Sequence, residues 1–234
     1  MSHICRAIIV AAGKGRRMGG DIPKQFLKLD GKPIIAHTLQ RFDDIQCIDD
    51  ITVVVADEYV EYMQSHVLDR YEIEKPITLV EGADTRQNSV FNGIKALSRD
   101  TDIVIIHDAV RPFIQRDLIE RSIYTAIEFG GAVIGVPVKD TIKQVDGDGF
   151  IGATLDREML WAVQTPQTFK YDIILKAHRQ AMEDGFVGTD DSMLVERSGF
   201  SVNMVMGSYS NIKITTKEDM VLANTILKEA WDGI

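Results

Sequence analysis

The residues best suited to chemistry lie near the start of the chain. Ala11-Ala12-Gly13-Lys14-Gly15-Arg16-Arg17-Met18-Gly19-Gly20 is followed closely by Pro23-Lys24-Gln25. Glycine at 13, 15, 19 and 20 rules out a helix or strand interior and lets the backbone approach a guest closely. Backbone N–H groups turned into such a concavity bind anions, phosphate above all. Arg16, Arg17 and Lys24 add the charge that would follow a polyphosphate, Arg by a bidentate fork and Lys as a point charge. Two look-alikes fail. A Walker loop needs Ser or Thr after Gly-Lys, and Gly15 follows Lys14. The dinucleotide fingerprint needs a third glycine where this chain has Met18.

Such a loop needs a scaffold, and the sequence supplies one. Ala7-Ile8-Ile9-Val10 ahead of it reads as a buried parallel strand. Further apolar runs at 51–55, 77–80, 103–106 and 132–138 alternate with helical patterns at 33–42, 59–71, 86–97 and 118–129. Later come helices at 171–184 and 190–197, strands at 202–206 and 211–215, and a closing helix at 217–231. Pro33 suits a first helical position, Gly130-Gly131 a helix end, and Asp84 and Asp190 helix caps. The alternation predicts an α/β fold, a mostly parallel twisted sheet with helices on both faces. Ligands of such sheets sit at the carboxyl ends of the strands, where the glycine loop also falls. The segment 141–154 differs. It reads as two short polar strands around Asp146-Gly147-Asp148-Gly149, a hairpin protruding from the sheet and needing another surface to lie on.

The chain has 234 residues, 45% of them hydrophobic, with a net charge of −9, and no linker-like shift in composition. One domain over 1–234 is the expectation. The acidic balance argues against a nucleic-acid or anionic-membrane binder, and no apolar run nears a membrane span. Cys5 and Cys47 lack metal-ligand spacing, and the histidines add no zinc pattern. No charged segment followed by an apolar core opens the chain, so a reduced, cytoplasmic setting is expected.

Other residues at strand ends are open to two readings. Glu81-Gly82-Ala83-Asp84 is a plain strand–turn–helix junction, or a turn offering C=O and N–H groups with the Ser89 hydroxyl nearby. Asp108, just past 103–106, caps a helix, or holds a hydroxyl or a water on Mg²⁺. Arg111, before Pro112, is a structural ion-pair residue or a site residue, and Arg157 reads as a surface salt bridge that composition alone does not exclude. Lys213, between Ile212 and Ile214, points to solvent or into a polar cleft. His107 reads as a core or supporting histidine.

Ala-Ala-Gly-x-Gly-x-Arg-Met with Pro-Lys-Gln resembles the nucleotide loop of sugar-phosphate nucleotidyltransferases. With Asp156-Arg157, Leu160-Trp161, Gln164-Thr165-Pro166-Gln167 and Ile212-Lys213-Ile214, the chain more narrowly resembles the 2-C-methyl-D-erythritol 4-phosphate cytidylyltransferases of the non-mevalonate isoprenoid pathway. The resemblance implies a Rossmann-like nucleotidyltransferase fold and the joining of CTP to a sugar-alcohol phosphate with Mg²⁺, held mainly by CTP phosphates. It implies that Ala11, Ala12, Gly13, Gly15, Gly82, Ala83, Asp84 and Ser89 bind the nucleotide. Arg17, Lys24, Arg157 and Lys213 would be catalytic. Asp108, Arg111, Thr141, Arg157, Thr165, Thr189 and Lys213 would bind the acceptor, and 139–158 would be the arm of a homodimer. A related ribitol-5-phosphate cytidylyltransferase and a non-catalytic nucleotide sensor are the alternatives. Asp156-Arg157 weighs against the first, and the pair Arg17 and Lys24 against the second.

Overall fold

The structure is a computed structural model that describes residues 3–13 and 22–232, the last three by backbone alone. In chain order its elements are β1 (Cys5–Val10), β2 (Lys28–Leu29), β3 (Lys32–Pro33), α1 (Ile34–Asp43), β4 (Asp50–Val55), α2 (Val60–Met63) and β5 (Ile77–Glu81). Then come α3 (Arg86–Ala96), β6 (Ile103–Asp108), α4 (Arg116–Phe129), β7 (Gly131–Pro137), β8 (Lys143–Val145) and β9 (Ile151–Thr154). The chain closes with β10 (Trp161–Lys170), α5 (Tyr171–Glu183), α6 (Asp191–Arg197), β11 (Asn203–Met206) and α7 (Lys217–Asp232).

Seven strands form the central sheet in the order β11-β7-β10-β6-β1-β4-β5. The α/β expectation holds: every pair is parallel except those of β10, which runs antiparallel to both β6 and β7. Strands buried on both faces read as continuous apolar runs. Ile8 and Ile9, adjacent in β1, pack into different clusters on the two faces, each fully buried. On one face Ile9 joins Ile35 and Leu39 of α1 and Leu118 and Ile119 of α4; on the other Ile8 joins Val90 and Ile94 of α3 and Ile174 of α5. The chain leaves β1 for β4 on one side and later returns to β6 on the other. Val10 and Asp108 are register partners at the carboxyl ends of β1 and β6. This reversal of direction opens a crevice at that edge.

Several expectations need correction. Residues 211–215 are not a strand. Ile214 is fully buried, but the segment ties to its neighbours through isolated bonds such as Ile214 N–H to Val110 C=O at 2.9 Å. The 161–169 run, read only as a motif, is β10, whose register shifts between Val163 and Gln167 where Pro166 can give no N–H. The helix expected at 59–71 is a 3₁₀ turn, the short α2 and a π turn at Gln64–Leu68. Pro33 sits just outside α1 as its cap. Thr85, not Asp84, caps α3: its hydroxyl accepts from Asn88 N–H at 3.1 Å, while Asp84 Oδ1 accepts from Thr85 N–H at 2.9 Å. Asp190 does cap α6, accepting from Met193 N–H at 2.9 Å. Gly130 ends α4 at φ 96, a conformation that favours glycine. Strands β8 and β9 pair only with each other; the turn is closed by Asp146, which accepts from Phe150 N–H at 2.9 Å.

Candidate active site

Two adjoining hollows occupy the carboxyl edge of the sheet. The larger, about 570 Å³, is lined by the end of β1 (Ala11, Ala12, Gly13), by Lys24 and Gln25, and by the β5–α3 turn (Ala83, Asp84, Thr85, Ser89). The smaller, about 270 Å³, is lined by Arg111, Gln164, Thr165, Gln167, Thr189 and Asp190. Arg86, Asp108 and Lys213 line both and stand between them.

Backbone shapes the first hollow. Ala11 N–H donates to Val54 C=O at 2.7 Å, carrying the β1 direction one residue past the strand. The nearly buried Gln25 amide donates to Gly13 C=O at 3.2 Å and also to Ala11 C=O, fixing the start of the glycine loop. Across the hollow, the Ser89 hydroxyl accepts from Ala83 N–H at 2.9 Å and donates to Thr85 C=O at 2.8 Å. Ser89 therefore builds the turn; its proton is already used. Gly82 allows the two walls to meet: a Cβ there would lie 2.3 Å from Ala12 Cβ. At Gly13 a Cβ would meet no atom of the described residues within 4 Å.

Charge shapes the wall between the hollows. Asp108 Oδ1 accepts from Arg86 Nε at 3.2 Å and Oδ2 from Lys213 Nζ at 2.6 Å. Arg111 Nε stands 3.8 Å from Oδ2 while its Nη1 donates to Asn211 C=O at 2.8 Å. Burial alone would raise the Asp108 pKa. Arg86 and then Lys213 outweigh it and hold the carboxyl well below the usual range. Burial pushes the Arg111 pKa down, opposed by Asp108. Behind the wall Arg86 Nη1 donates to Asp191 Oδ2 at 2.8 Å, and Asp191 is almost fully buried at the first turn of α6. Burial would lower the Arg86 pKa, but Asp191 and Asp108 raise it overall.

A hydrogen-bond chain fixes the backbone at this edge. Thr165 Oγ1 accepts from Asp108 N–H at 3.1 Å and donates to His107 Nδ1 at 3.0 Å; His107 Nε2–H donates to Arg111 C=O at 3.1 Å. That pattern requires a neutral imidazole. Burial lowers the His107 pKa to about 4, against the raising effect of the Arg111 carbonyl and Asp108. His107 is thus a supporting histidine, as its place in a buried strand suggested. Gln167 does similar work on α6. Its Oε1 accepts from Asp191 and Ser192 N–H groups, both at 3.1 Å, and its Nε2 donates to Asp190 at 2.8 Å.

Of the expected nucleotide residues, Ala11, Ala12, Gly13, Ala83, Asp84 and Ser89 line the first hollow; Gly82 supports it from behind, and Gly15 and Arg17 lie outside the described residues. Lys24 lines the same hollow. Asp108, Arg111, Thr165, Thr189 and Lys213 all line the second. Lys213 points into the polar cleft, and Asp108 is an ion-pair acceptor rather than a helix cap. Thr141 and Arg157 line neither hollow. Arg157 is exposed at the base of the hairpin, its Nη1 donating to Lys139 C=O at 3.1 Å. Sequence reasoning missed Arg86, Gln167 and Asp190. Only Arg86 carried a signal, a cation at the first turn of a helix that follows a sheet's carboxyl edge.

A metal caged by three or more protein ligands does not fit among the described residues. Among the described residues no group of three His, Cys, Asp or Glu converges on one point, and the Asp108 carboxylate is fully engaged by cations.

The model of the family described as IspD, 2-C-methyl-D-erythritol 4-phosphate cytidylyltransferase, matches residues 5–229. The chain belongs to this family. It is a nucleotidyltransferase. It is 48% identical over 223 residues to the 2-C-methyl-D-erythritol 4-phosphate cytidylyltransferase of Caldanaerobacter subterraneus, covering 95% of this chain and 98% of that one. The enzyme of the same name from Geotalea uraniireducens is 50% identical over 224 residues, covering 95% and 96%. Among solved structures, the 4-diphosphocytidyl-2C-methyl-D-erythritol synthase of Anaerococcus prevotii superposes with a TM-score of 0.87 at 33% identity, covering 97% of each chain. The Thermus thermophilus cytidylyltransferase superposes at 0.77 and 32% identity, covering 97% of this chain and 99% of that one.

Proposed function

We propose that this chain joins CTP and 2-C-methyl-D-erythritol 4-phosphate to give 4-diphosphocytidyl-2-C-methyl-D-erythritol and pyrophosphate, in isoprenoid precursor biosynthesis. The observation that carries the reading is the pair of hollows meeting at Arg86, Asp108 and Lys213. A nucleotide in the backbone-lined hollow presents its α-phosphorus to a phosphate in the charged one. An acceptor phosphate oxygen attacks that phosphorus, the bond to the β-phosphate oxygen breaks, and pyrophosphate leaves. The nucleophile is already ionised, so no activating base is needed. In-line positioning and neutralisation of growing charge are what the site must supply.

Lys24 and Arg17 stabilise charge on the triphosphate. Ala11, Ala12, Gly13 and Gly15 cradle it, and Gly82, Ala83, Asp84 and Ser89 form the base-reading turn. Lys213 and Arg157 hold the acceptor phosphate, the latter from a partner copy. Asp108, ionised and aimed into the acceptor hollow, takes a hydroxyl of the polyol, with Arg111, Thr141, Thr165 and Thr189 around it. Mg²⁺ enters on the oxygens of CTP, as part of that substrate. The chain is one domain whose arm, 139–158, docks on a second copy in the cytoplasm. Support for the arm comes from Phe150 and Ile151 at its tip, 72% and 63% exposed. With Val145, 57% exposed, they put three exposed apolar side chains on one short hairpin, and clustered exposed apolar groups mark interaction surfaces.

The test is pyrophosphate release from CTP and Mg²⁺ with either 2-C-methyl-D-erythritol 4-phosphate or ribitol 5-phosphate. Release with the first alone is expected. Release only with ribitol phosphate, or with neither, overturns the reading. Sedimentation at micromolar concentration is expected to give a dimer, and removal of 141–154 a monomer; an intact chain that sediments as a monomer refutes the arm.

A further inference from the structure

The cations on Asp108 differ in how firmly they are held. Arg86 is locked. Its Nη1 is tied to Asp191, whose side chain is only 1% exposed, and its Nε to Asp108. Asp191 is itself fixed by His178 Nε2 at 3.2 Å and by its own N–H on Gln167. Lys213 is not locked in this way. Its side chain is 37% exposed, its stem is four methylenes long, and it stands on an irregular segment rather than in the sheet. Yet Lys213 Nζ lies 2.6 Å from Asp108, an ion pair with which any phosphate drawing on this ammonium must compete.

We infer that Arg86 is a positioning residue that keeps Asp108 charge-compensated while Lys213 transfers from that carboxylate to the incoming acceptor phosphate. This rests on the acceptor role proposed for Lys213 and goes beyond it. An ammonium shared between a carboxylate and a phosphate binds the phosphate more weakly as the carboxylate's own charge goes less compensated. With Arg86 in place, Asp108 keeps a strong counter-ion when Lys213 leaves. Arg111 is the remaining cation there, but it is 3.8 Å away and already donates to Asn211 C=O. Without Arg86, Asp108 would retain Lys213, and the acceptor phosphate would have to win it against a nearly uncompensated anion of low exposure. The arginine therefore favours acceptor binding without having to touch the acceptor.

The experiment measures steady-state pyrophosphate release by the full chain, varying each substrate with the other saturating. Wild type must turn over, and Lys213→Ala must raise the acceptor KM; failure of either overturns the functional reading, and this inference with it. With those in hand, Arg86→Gln is expected to raise the acceptor KM on the order of 10-fold or more, the scale of one charged hydrogen bond. The KM for CTP should move by less than about threefold, since the bonds removed are those to Asp108 and Asp191 and not any that fix the main-chain walls. The decisive variant is Arg86→Gln with Asp108→Asn. Once the competing carboxylate is neutral, Lys213 is released, and the acceptor KM should return to that of Asp108→Asn alone. A plain packing role, or direct contact of Arg86 with the phosphate, would leave the acceptor KM of the double variant above that of Asp108→Asn alone by about the factor that Arg86→Gln imposes on wild type, and that result overturns the inference. If Arg86→Gln does not fold, Arg86→Lys with and without Asp108→Asn carries the same comparison, because one ammonium cannot fork across two carboxylates.

Discussion

On the proposed reading the two hollows solve the same problem, holding a phosphate ester, with opposite materials. The nucleotide side is made of main chain. Its walls are a strand end and a turn, brought together by a missing Cβ at Gly82 and fixed by one hydroxyl and one amide, Ser89 and Gln25. The acceptor side is made of long charged side chains from distant segments, balanced against one another across Asp108. Main chain gives shape that a ligand cannot rearrange. Opposed charges give a setting that a new anion can rearrange. The difference suits a reaction in which the α-phosphorus must be held still while the attacking phosphate is drawn in.

Lys24 tests that division most severely, because it is a cation set in the main-chain hollow. If the walls alone positioned the triphosphate, losing its charge would matter little. As a stabiliser of the charge that develops on the leaving pyrophosphate, it should matter greatly. Lys24→Ala is expected to lower kcat by roughly 10²–10³, the scale of losing one preorganised donor. Stopped assays under saturating CTP measure this, and near-normal turnover would refute the role.

The support beneath the charged hollow can be probed by acid. His107 is neutral in the folded chain, its pKa lowered to about 4, but would take a proton near 6.5 once unfolded. The unfolded state therefore binds more protons between those values, and stability falls as pH drops through that window. The loss accumulates to about 3 kcal/mol, from 1.36 kcal/mol per pKa unit. Asp108 and Asp191, whose pKa values are lowered, act with the same sign further into acid. Urea unfolding of wild type and His107→Gln at pH 7 and near the lower end of the window separates these contributions. The variant's acid loss should be smaller by about that amount, whatever its stability at pH 7; an equal loss in both would show that His107 is not held neutral.

The same division explains what the sequence revealed. Local patterns carried the buried runs of β1, β4 and β6 and the Asp190 cap, because each depends on neighbours within a few residues. The charged hollow is built from residues far apart in the chain: Arg86, Asp108, Thr165, Asp190 and Lys213. Only the resemblance to a family gathered most of them, and it did not gather Arg86 or Asp190. β10 escaped notice because most of its buried positions are polar. Gln164, Thr165, Gln167 and Thr168 are all buried, and each is satisfied by a partner from another segment, as Thr168 is by the Ser122 hydroxyl at 2.9 Å. No hydrophobic periodicity marks such a strand. Conversely, the apolar alternation at Ile212 and Ile214 suggested a strand where side-chain burial was real but backbone pairing was not.

The smallest expected effect separates shape from flexibility within the nucleotide hollow itself. Gly82 and Gly13 both line or back this site, yet their surroundings differ. A methyl at Gly82 meets Ala12 Cβ at 2.3 Å, and neither wall can yield easily: Gly82 N–H is tied to Val55 C=O at 2.8 Å, and the chain before Ala12 to Val54 C=O at 2.7 Å. A methyl at Gly13 meets nothing within 4 Å among the described residues. Gly82→Ala should therefore destabilise by about 1–3 kcal/mol, the range for overpacking a tight contact. Because the strain falls between the two walls, the KM for CTP should rise while the acceptor KM stays within about twofold. Gly13→Ala should leave thermal stability within about 0.5 kcal/mol of wild type, the range for a change that disturbs no packed feature. If both substitutions destabilise alike, glycine serves this edge through backbone freedom rather than through the close approach of its two walls. The contrast between a hollow of fixed main chain and one of movable charge would then lose its first half.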